Sequence, residues 1–203
     1  NRRFLFINRD VEEKLETWSY PDSQGVHDLR EQLAAHPDIS KDLVYIDTGS
    51  SGLIDTMLTT LNPRNGHQRP GLVLHNAVYT VYPAFGNLNN FDIKYAELDN
   101  RTGFPKLVEY RKLVDENTAA VILTTVGNPI GSAMSPYYFK QILSIAEEKM
   151  DVYGRFPIIF ADTVYEDYRI DQSSRINPIA IARESGFTGV VVDIHSASKM
   201  IGI

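Results

Sequence analysis

Short apolar runs recur six times along this chain, and longer stretches with helical spacing separate them. The runs extend from Leu43 to Asp47 (LVYID), Gly71 to His75 (GLVLH), Asp92 to Leu98 (DIKYAEL), Ala119 to Thr125 (AAVILTT), Pro157 to Ala161 (PIIFA) and Gly189 to Ile194 (GVVVDI). A strand covered on one face alternates apolar and polar residues. Several of these runs are apolar throughout, which marks strands covered on both faces. Between them, helices are predicted from Val26 to Ala35, from Leu53 through Leu61, and from Lys106 to Leu113. Two more are expected from Pro136 to about Met150 and from Asn177 to Glu184. Ser135 is placed to cap the Pro136 helix, and proline suits its first turn. Near the start, Asp10 could cap a short helix. The stretch Tyr20-Pro21-Asp22-Ser23-Gln24-Gly25 is turn chemistry. The alternation predicts an α/β fold, a mostly parallel sheet with helices on both faces. There is no internal repeat and no clear linker; the stretch Asn62 to Pro70 is short enough to join a helix to a strand.

Charge and composition narrow the function. The 26 acidic and 20 basic side chains give a formal charge of −6, which argues against a surface built for nucleic-acid phosphates. Cysteine is absent, so disulfides and thiolate metal sites are excluded. The histidines (His27, His36, His67, His75 and His195) lack metal-ligand spacing. No apolar run reaches membrane-spanning length, and no signal-peptide pattern opens the chain. A cytoplasmic location is the default expectation.

In an open α/β sheet, ligands bind beyond the C-terminal ends of the strands, and five of the six predicted strands here, all but the third, end near a polar cluster or an aromatic one. Gly49-Ser50-Ser51-Gly52 opens a helix, where backbone N–H groups and hydroxyls could cradle a phosphate; a plain serine cap is the alternative. Tyr79 and Tyr82 follow the second strand and could stack on an aromatic ligand or simply pack. Asn128-Pro129-Ile130-Gly131 aims an amide from a tight turn. Asp162 and Tyr165 follow the fifth strand, and the carboxylate could pair with a protonated ring nitrogen or cap the next turn. After the sixth come Ser196, Ser198 and Lys199. A lysine beside a buried strand is unusual, because burying an unpaired charge is costly. Such burial would lower its pKa and make it a nucleophile.

Taken in order, Tyr20…Gly25…Leu29-Arg30, Gly49-Ser50-Ser51-Gly52, Tyr79…Tyr82-Pro83, Asn128-Pro129-Ile130-Gly131, Asp162…Tyr165 and Ser196-Ala197-Ser198-Lys199 resemble the fold type I pyridoxal-phosphate enzymes, the class I/II aminotransferases in particular. The resemblance covers Tyr20 to Lys199. It implies pyridoxal 5'-phosphate as cofactor and a Schiff base on Lys199, which would also shuttle the proton. Asp162 would keep the pyridine nitrogen protonated. Asn128 and Tyr165 would hydrogen-bond the phenolic oxygen, and Tyr79 would stack on the ring. Ser50, Ser51 and Ser196 would hold the phosphate. Tyr20 would reach the neighbouring subunit's phosphate, which implies a homodimer with shared sites. The implied substrates are an amino acid and a 2-oxo acid.

The chain departs from that pattern in two places. Ile130 replaces a common threonine at a position that is not a direct cofactor ligand. The pattern also continues past Ile203 with a phosphate-binding arginine, an antiparallel strand and a small domain. Residues 1–203 are therefore expected to be part of the cofactor-binding large domain. On that basis Leu43 to Asp47 would lack its central partner strand. The same scaffold also serves lyases, decarboxylases and synthases, and regulators that carry an aminotransferase-like domain.

Overall fold

Five of the six predicted strands form, and all five pair in parallel. The computed structural model describes residues 22–34, 39–62 and 69–201. The chain divides into two compact units, 1–48 and 49–203.

The second unit holds the sheet. Its strands are β1 (Gly71–His75), β2 (Asp92–Ala96), β3 (Thr118–Thr124), β4 (Ile158–Asp162) and β5 (Val191–Ile194). They lie in the order β2-β1-β3-β4-β5. Side chains along a strand point alternately to opposite faces, so an all-apolar strand feeds two cores. One face takes Val73, Val121, Leu123, Ile159 and Ala161. It packs on α4 (Leu107–Leu113), α5 (Pro136–Tyr153) and α6 (Pro178–Glu184) through Tyr110, Phe139, Ile142, Leu143 and Ile181. The other face takes Leu72, Leu74, Ala120, Ile122, Phe160 and Ile194. It packs on α2 (Ser50–Leu61) and α3 (Val81–Leu88) through Ile54, Leu58 and Tyr82. Each such side chain, fully buried, contributes about 1.5–3 kcal/mol before entropy is counted. Gly86 lets α3 lie close to the sheet, since a Cβ there would come within 2.9 Å of both Leu72 and Ile93.

The central strands β1, β3 and β4 are buried almost throughout, whereas β2 and β5 at the edges are partly exposed. β2 is buried only at Ala96, where it ends, two residues short of the expected Leu98, so the alternation of its sequence is not matched by its burial. Beyond it, Leu98 makes one antiparallel bridge to Pro105. The helix α5 starts where Ser135 and Pro136 place it and runs three residues past Met150. Among the described residues, no helix is long and apolar enough to cross a membrane.

The first unit carries α1 (His27–Leu33), preceded by the expected turn, in which Gly25 N–H donates to the Asp22 carbonyl at 2.8 Å. Arg30 is buried on α1 and binds the Asp22 carboxylate at 2.9 Å and Gln24 Oε1 at 2.6 Å. The expected strand from Leu43 to Asp47 does not form. Lys41–Leu43 is a 3-10 turn capped by Ser40, and residues 44–47 are irregular. Leu43 and Tyr45 are 73% and 57% exposed. An apolar run becomes a strand only where a neighbour takes its backbone groups. Here the N–H groups of Leu43 and Val44 turn back to the Ser40 and Lys41 carbonyls at 2.9 and 3.1 Å, and that of Ile46 donates to the Gln24 carbonyl at 2.9 Å, so these bonds go to turns rather than to a neighbouring strand. The helix capped by Asp10, and Tyr20, lie outside the described residues.

Candidate active site

Register puts the site residues at one edge of the sheet. Thr124, Asp162 and Ile194 are level with one another across β3, β4 and β5. The chain leaves all three strands at the same end, so Asn128, Tyr165, Ser196 and Lys199 follow within a few residues. Ile54, one turn into α2, packs in the same cluster as Ile194 and Tyr82.

Asp162 is buried. Its Oδ1 accepts the Val164 N–H at 3.0 Å, and its Oδ2 accepts the hydroxyl of Tyr82. The first contact is the local turn foreseen for a capping aspartate; the second joins residues 80 apart in the chain. Burial pushes the Asp162 carboxyl above the ordinary aspartate range, against the hydrogen bonds from Tyr82 and Val164 and the charge of His195. Tyr82 itself is 1% exposed, and burial, together with the Asp162 charge, holds its phenol protonated far above neutrality. Tyr79 is more open and sets its ring edge-on to Tyr82, with centroids 5.8 Å apart. Tyr79 is therefore free to meet a ligand, while Tyr82 is committed to the carboxylate.

Asn128 and Tyr165 come together as expected. The Asn128 amide nitrogen lies 3.5 Å from the Tyr165 hydroxyl, a long hydrogen bond. The Asn128–Pro129 peptide is cis. Ser196 is buried, and its hydroxyl meets that of Ser198 at 2.9 Å and accepts the Ser198 N–H at 3.3 Å. Ser50 and Ser51 are half-buried at the start of α2. Neither serine caps that helix: Gly49 occupies the cap position at φ 88°, a conformation open to glycine, and it has no side chain to accept from the first turn. The N-terminal N–H groups of α2 are left for an anion or water.

Lys199 lies on α7 (Ser198–Ile201). It is exposed, not buried as the sequence suggested, and it lies five residues past the end of β5. Its carbonyl accepts the hydroxyl of Tyr168. Tyr20, the residue expected to reach a second subunit, lies outside the described residues.

Three contacts here were not foreseen. His75, at the end of β1, places Nδ1 2.8 Å from the Asn76 carbonyl and Nε2 3.2 Å from the Thr124 hydroxyl. A carbonyl only accepts, so Nδ1 carries the proton and Nε2 accepts from Thr124. Glu166 and Arg169 form a buried, two-pronged ion pair at 2.7 and 2.8 Å. Tyr168 joins the Tyr165 turn to the Lys199 segment. The i,i+3 spacing of Glu166 and Arg169 was the one local signal, and it reads equally well as a solvated pair.

The donor set fits pyridoxal phosphate. A buried carboxylate stands where a ring nitrogen could pair with it, and an amide–phenol pair stands one turn away. Hydroxyls and an uncapped helix start supply anion donors, and the Lys199 amine follows the end of β5 by five residues.

The family described as aminotransferase class I and II matches residues 8–202. A tyrosine aminotransferase of Dictyostelium discoideum is 26% identical over 155 residues, spanning 73% of this chain and 34% of its own. A histidinol-phosphate aminotransferase of Helicobacter hepaticus is 21% identical over 191 residues, spanning 91% and 46%. Among solved structures, an aminotransferase from Escherichia coli superposes with a TM-score of 0.77 at 23% identity, covering 95% of this chain and 46% of that one. An N-succinyldiaminopimelate aminotransferase from Mycobacterium tuberculosis gives 0.74 at 21% identity, covering 90% and 47%. These structures share the fold, and the chain spans 28% to 46% of the length of the curated relatives it matches. With nearly all of its length accounted for by one family description, this chain belongs to the class I and II aminotransferases.

Proposed function

We propose that this protein is a pyridoxal-phosphate-dependent aminotransferase that moves an amino group between an amino acid and a 2-oxo acid, with residues 1–203 serving as cofactor-binding large domain. The observation that carries this reading is the meeting of Asp162, the Asn128–Tyr165 pair and the Lys199 segment at one edge of a parallel sheet. Matched relatives are named for tyrosine, alanine and histidinol phosphate, so the reading stays at the class they share.

When bound, the cofactor supplies an aldehyde that combines with amines and a ring that withdraws electrons. Lys199 is the amine for that aldehyde and the group that moves a proton to and from the substrate carbon. Asp162, kept in place by Tyr82 and Val164, holds a proton on the ring nitrogen. Asn128 and Tyr165 donate to the phenolic oxygen, and Tyr79 lies on the ring. Ser50, Ser51, Ser196 and the open start of α2 take the phosphate. Tyr20 reaches the neighbouring subunit of a homodimer, and the location is cytoplasmic.

The test is reconstitution of the full-length protein with pyridoxal phosphate. The wild type is expected to gain a visible absorbance band and to form pyridoxamine phosphate when an amino acid is added. Lys199→Ala should lose the band and slow the reaction by about 10²–10⁴-fold. A band that survives Lys199→Ala would remove the lysine from its role. Decarboxylated or eliminated product without pyridoxamine phosphate would replace transamination with lyase chemistry.

A further inference from the structure

Building on the cofactor reading above, we propose that the buried Glu166–Arg169 ion pair is a positioning element of the site, fastening the turn that carries Tyr165 and Tyr168 to the end of β3. The two side chains are 2% and 3% exposed and meet through both Nε and a terminal nitrogen of Arg169. A paired charge this deep needs its remaining hydrogen-bonding capacity met, and here partners outside the turn meet it. Arg169 donates to the Thr125 carbonyl at 3.3 Å, and Glu166 accepts the Ile176 N–H at 3.3 Å. Thr125 is the first residue past β3, three before Asn128, and its own N–H and hydroxyl both donate to the Asp162 carbonyl, at 3.0 and 3.2 Å.

Thr125 is thus the junction of the two loops that bring Asn128 and Tyr165 face to face. Glu166 directly follows Tyr165. Two residues on, the Tyr168 hydroxyl donates to the Lys199 carbonyl. One ion pair therefore sets Tyr165 against Asn128 and, through Tyr168, places the backbone of the lysine segment. Burial works against the Glu166 charge, but the hydrogen bonds from Arg169 and Thr125, the arginine charge and the Ile176 amide outweigh it. They hold the carboxyl below the ordinary glutamate range, so the pair is charged at neutral pH.

The test uses the full-length protein with Arg169→Met and with the double change Glu166→Gln/Arg169→Met. The double change leaves no unpaired buried charge and keeps an acceptor for the Ile176 amide, so it is the variant that folds if the single one does not. The readout is the pH midpoint of the bound cofactor's visible band. Donors on a phenolate oxygen lower its basicity, so loosening Tyr165 should raise the midpoint by about one unit, a tenfold change in proton affinity. Tyr165→Phe should give a similar rise, and adding it to the double change should give little more, because both act through one contact. A midpoint within ~0.2 unit of wild type in the folded double variant would overturn the positioning role. So would a shift fully additive with Tyr165→Phe. Hydrogen exchange on the cofactor-free protein gives a second readout that does not depend on the cofactor. Amides of residues 163–169 should exchange about tenfold faster in the double variant, and unchanged rates would sink the inference even if the wild type bound no cofactor.

Discussion

A carboxylate buried as deeply as Asp162 tends to pick up a proton, because removal from water penalises the charged form. Two donors oppose this at Asp162: the Val164 amide at 3.0 Å and the Tyr82 hydroxyl. The first belongs to the local turn and would survive most substitutions. The second comes from α3, and losing it would leave the carboxylate with one donor. In Tyr82→Phe the ring still fills its place, so the change isolates the hydrogen bond. The expected outcome is a further rise in the Asp162 pKa, read from its carboxyl carbon shift in a pH titration. Near neutrality this should come with a stability loss of about 1.5–3 kcal/mol, the range for a hydrogen bond to a charged group. That loss should shrink as the pH falls and Asp162 becomes protonated. A deficit equal at neutral and acid pH would mean that the hydroxyl packs rather than supports the charge.

At the scale of elements, α2 and α5 begin in opposite ways. Ser135 caps α5, its hydroxyl accepting the Tyr138 N–H at 3.1 Å, with Pro136 in the first turn. The start of α2 has no side-chain cap. In the cofactor-free protein Ser135→Ala should therefore cost about 1 kcal/mol by urea denaturation, while Ser50→Ala should cost almost nothing. Equal losses would mean that Ser50 serves the helix rather than an anion. The α5 start is legible in the sequence because Ser-Pro before an apolar period is a local signal. Leu43 to Asp47 was misread for the opposite reason. Its β-branched and aromatic residues have strand propensity, but a strand also needs a neighbour, and propensity does not say where one will be. The same limit applies to β2, where residues 97 and 98 had the pattern but found no neighbouring strand: the Glu97 carbonyl accepts the Lys106 N–H at 3.0 Å, and Leu98 makes a single bridge to Pro105.

For the whole molecule, the sheet and its ligand-binding edge are legible because β1, β3, β4 and β5 appear as apolar runs and polar or aromatic residues follow each of them. The contacts that tie the edge together are not. Tyr82 with Asp162 and His75 with Thr124 join residues 80 and 49 apart, and no local period encodes such pairs. These long-range contacts shape the pH dependence of stability. Burial lowers the His75 pKa from its ordinary 6.5, with the Asn76 carbonyl opposing the shift. The unfolded chain, with its histidine titrating near 6.5, then binds the proton before the folded one does. Stability therefore rises with pH through the interval between the two values and is lost as the pH falls below 6.5. Glu166 and Asp115 are held below their ordinary 4.5 and 3.8 despite some desolvation, by Arg169 and Lys94 respectively among other donors. What they contribute is present above those values and disappears as the pH drops through their lower folded ones. His75 should thus lower the unfolding free energy on acidification beginning near 6.5, and Glu166 and Asp115 should lower it below about 4.5, while Asp162 and Asp193, whose carboxyls are raised above the ordinary 3.8, act in the opposite sense as they take up protons. His75→Gln keeps a donor and an acceptor at the end of β1 but cannot titrate. Urea denaturation from pH 8 down to 3 should show the His75 fall gone in that variant and the changes at lower pH intact, and persistence of that fall would assign it to another group.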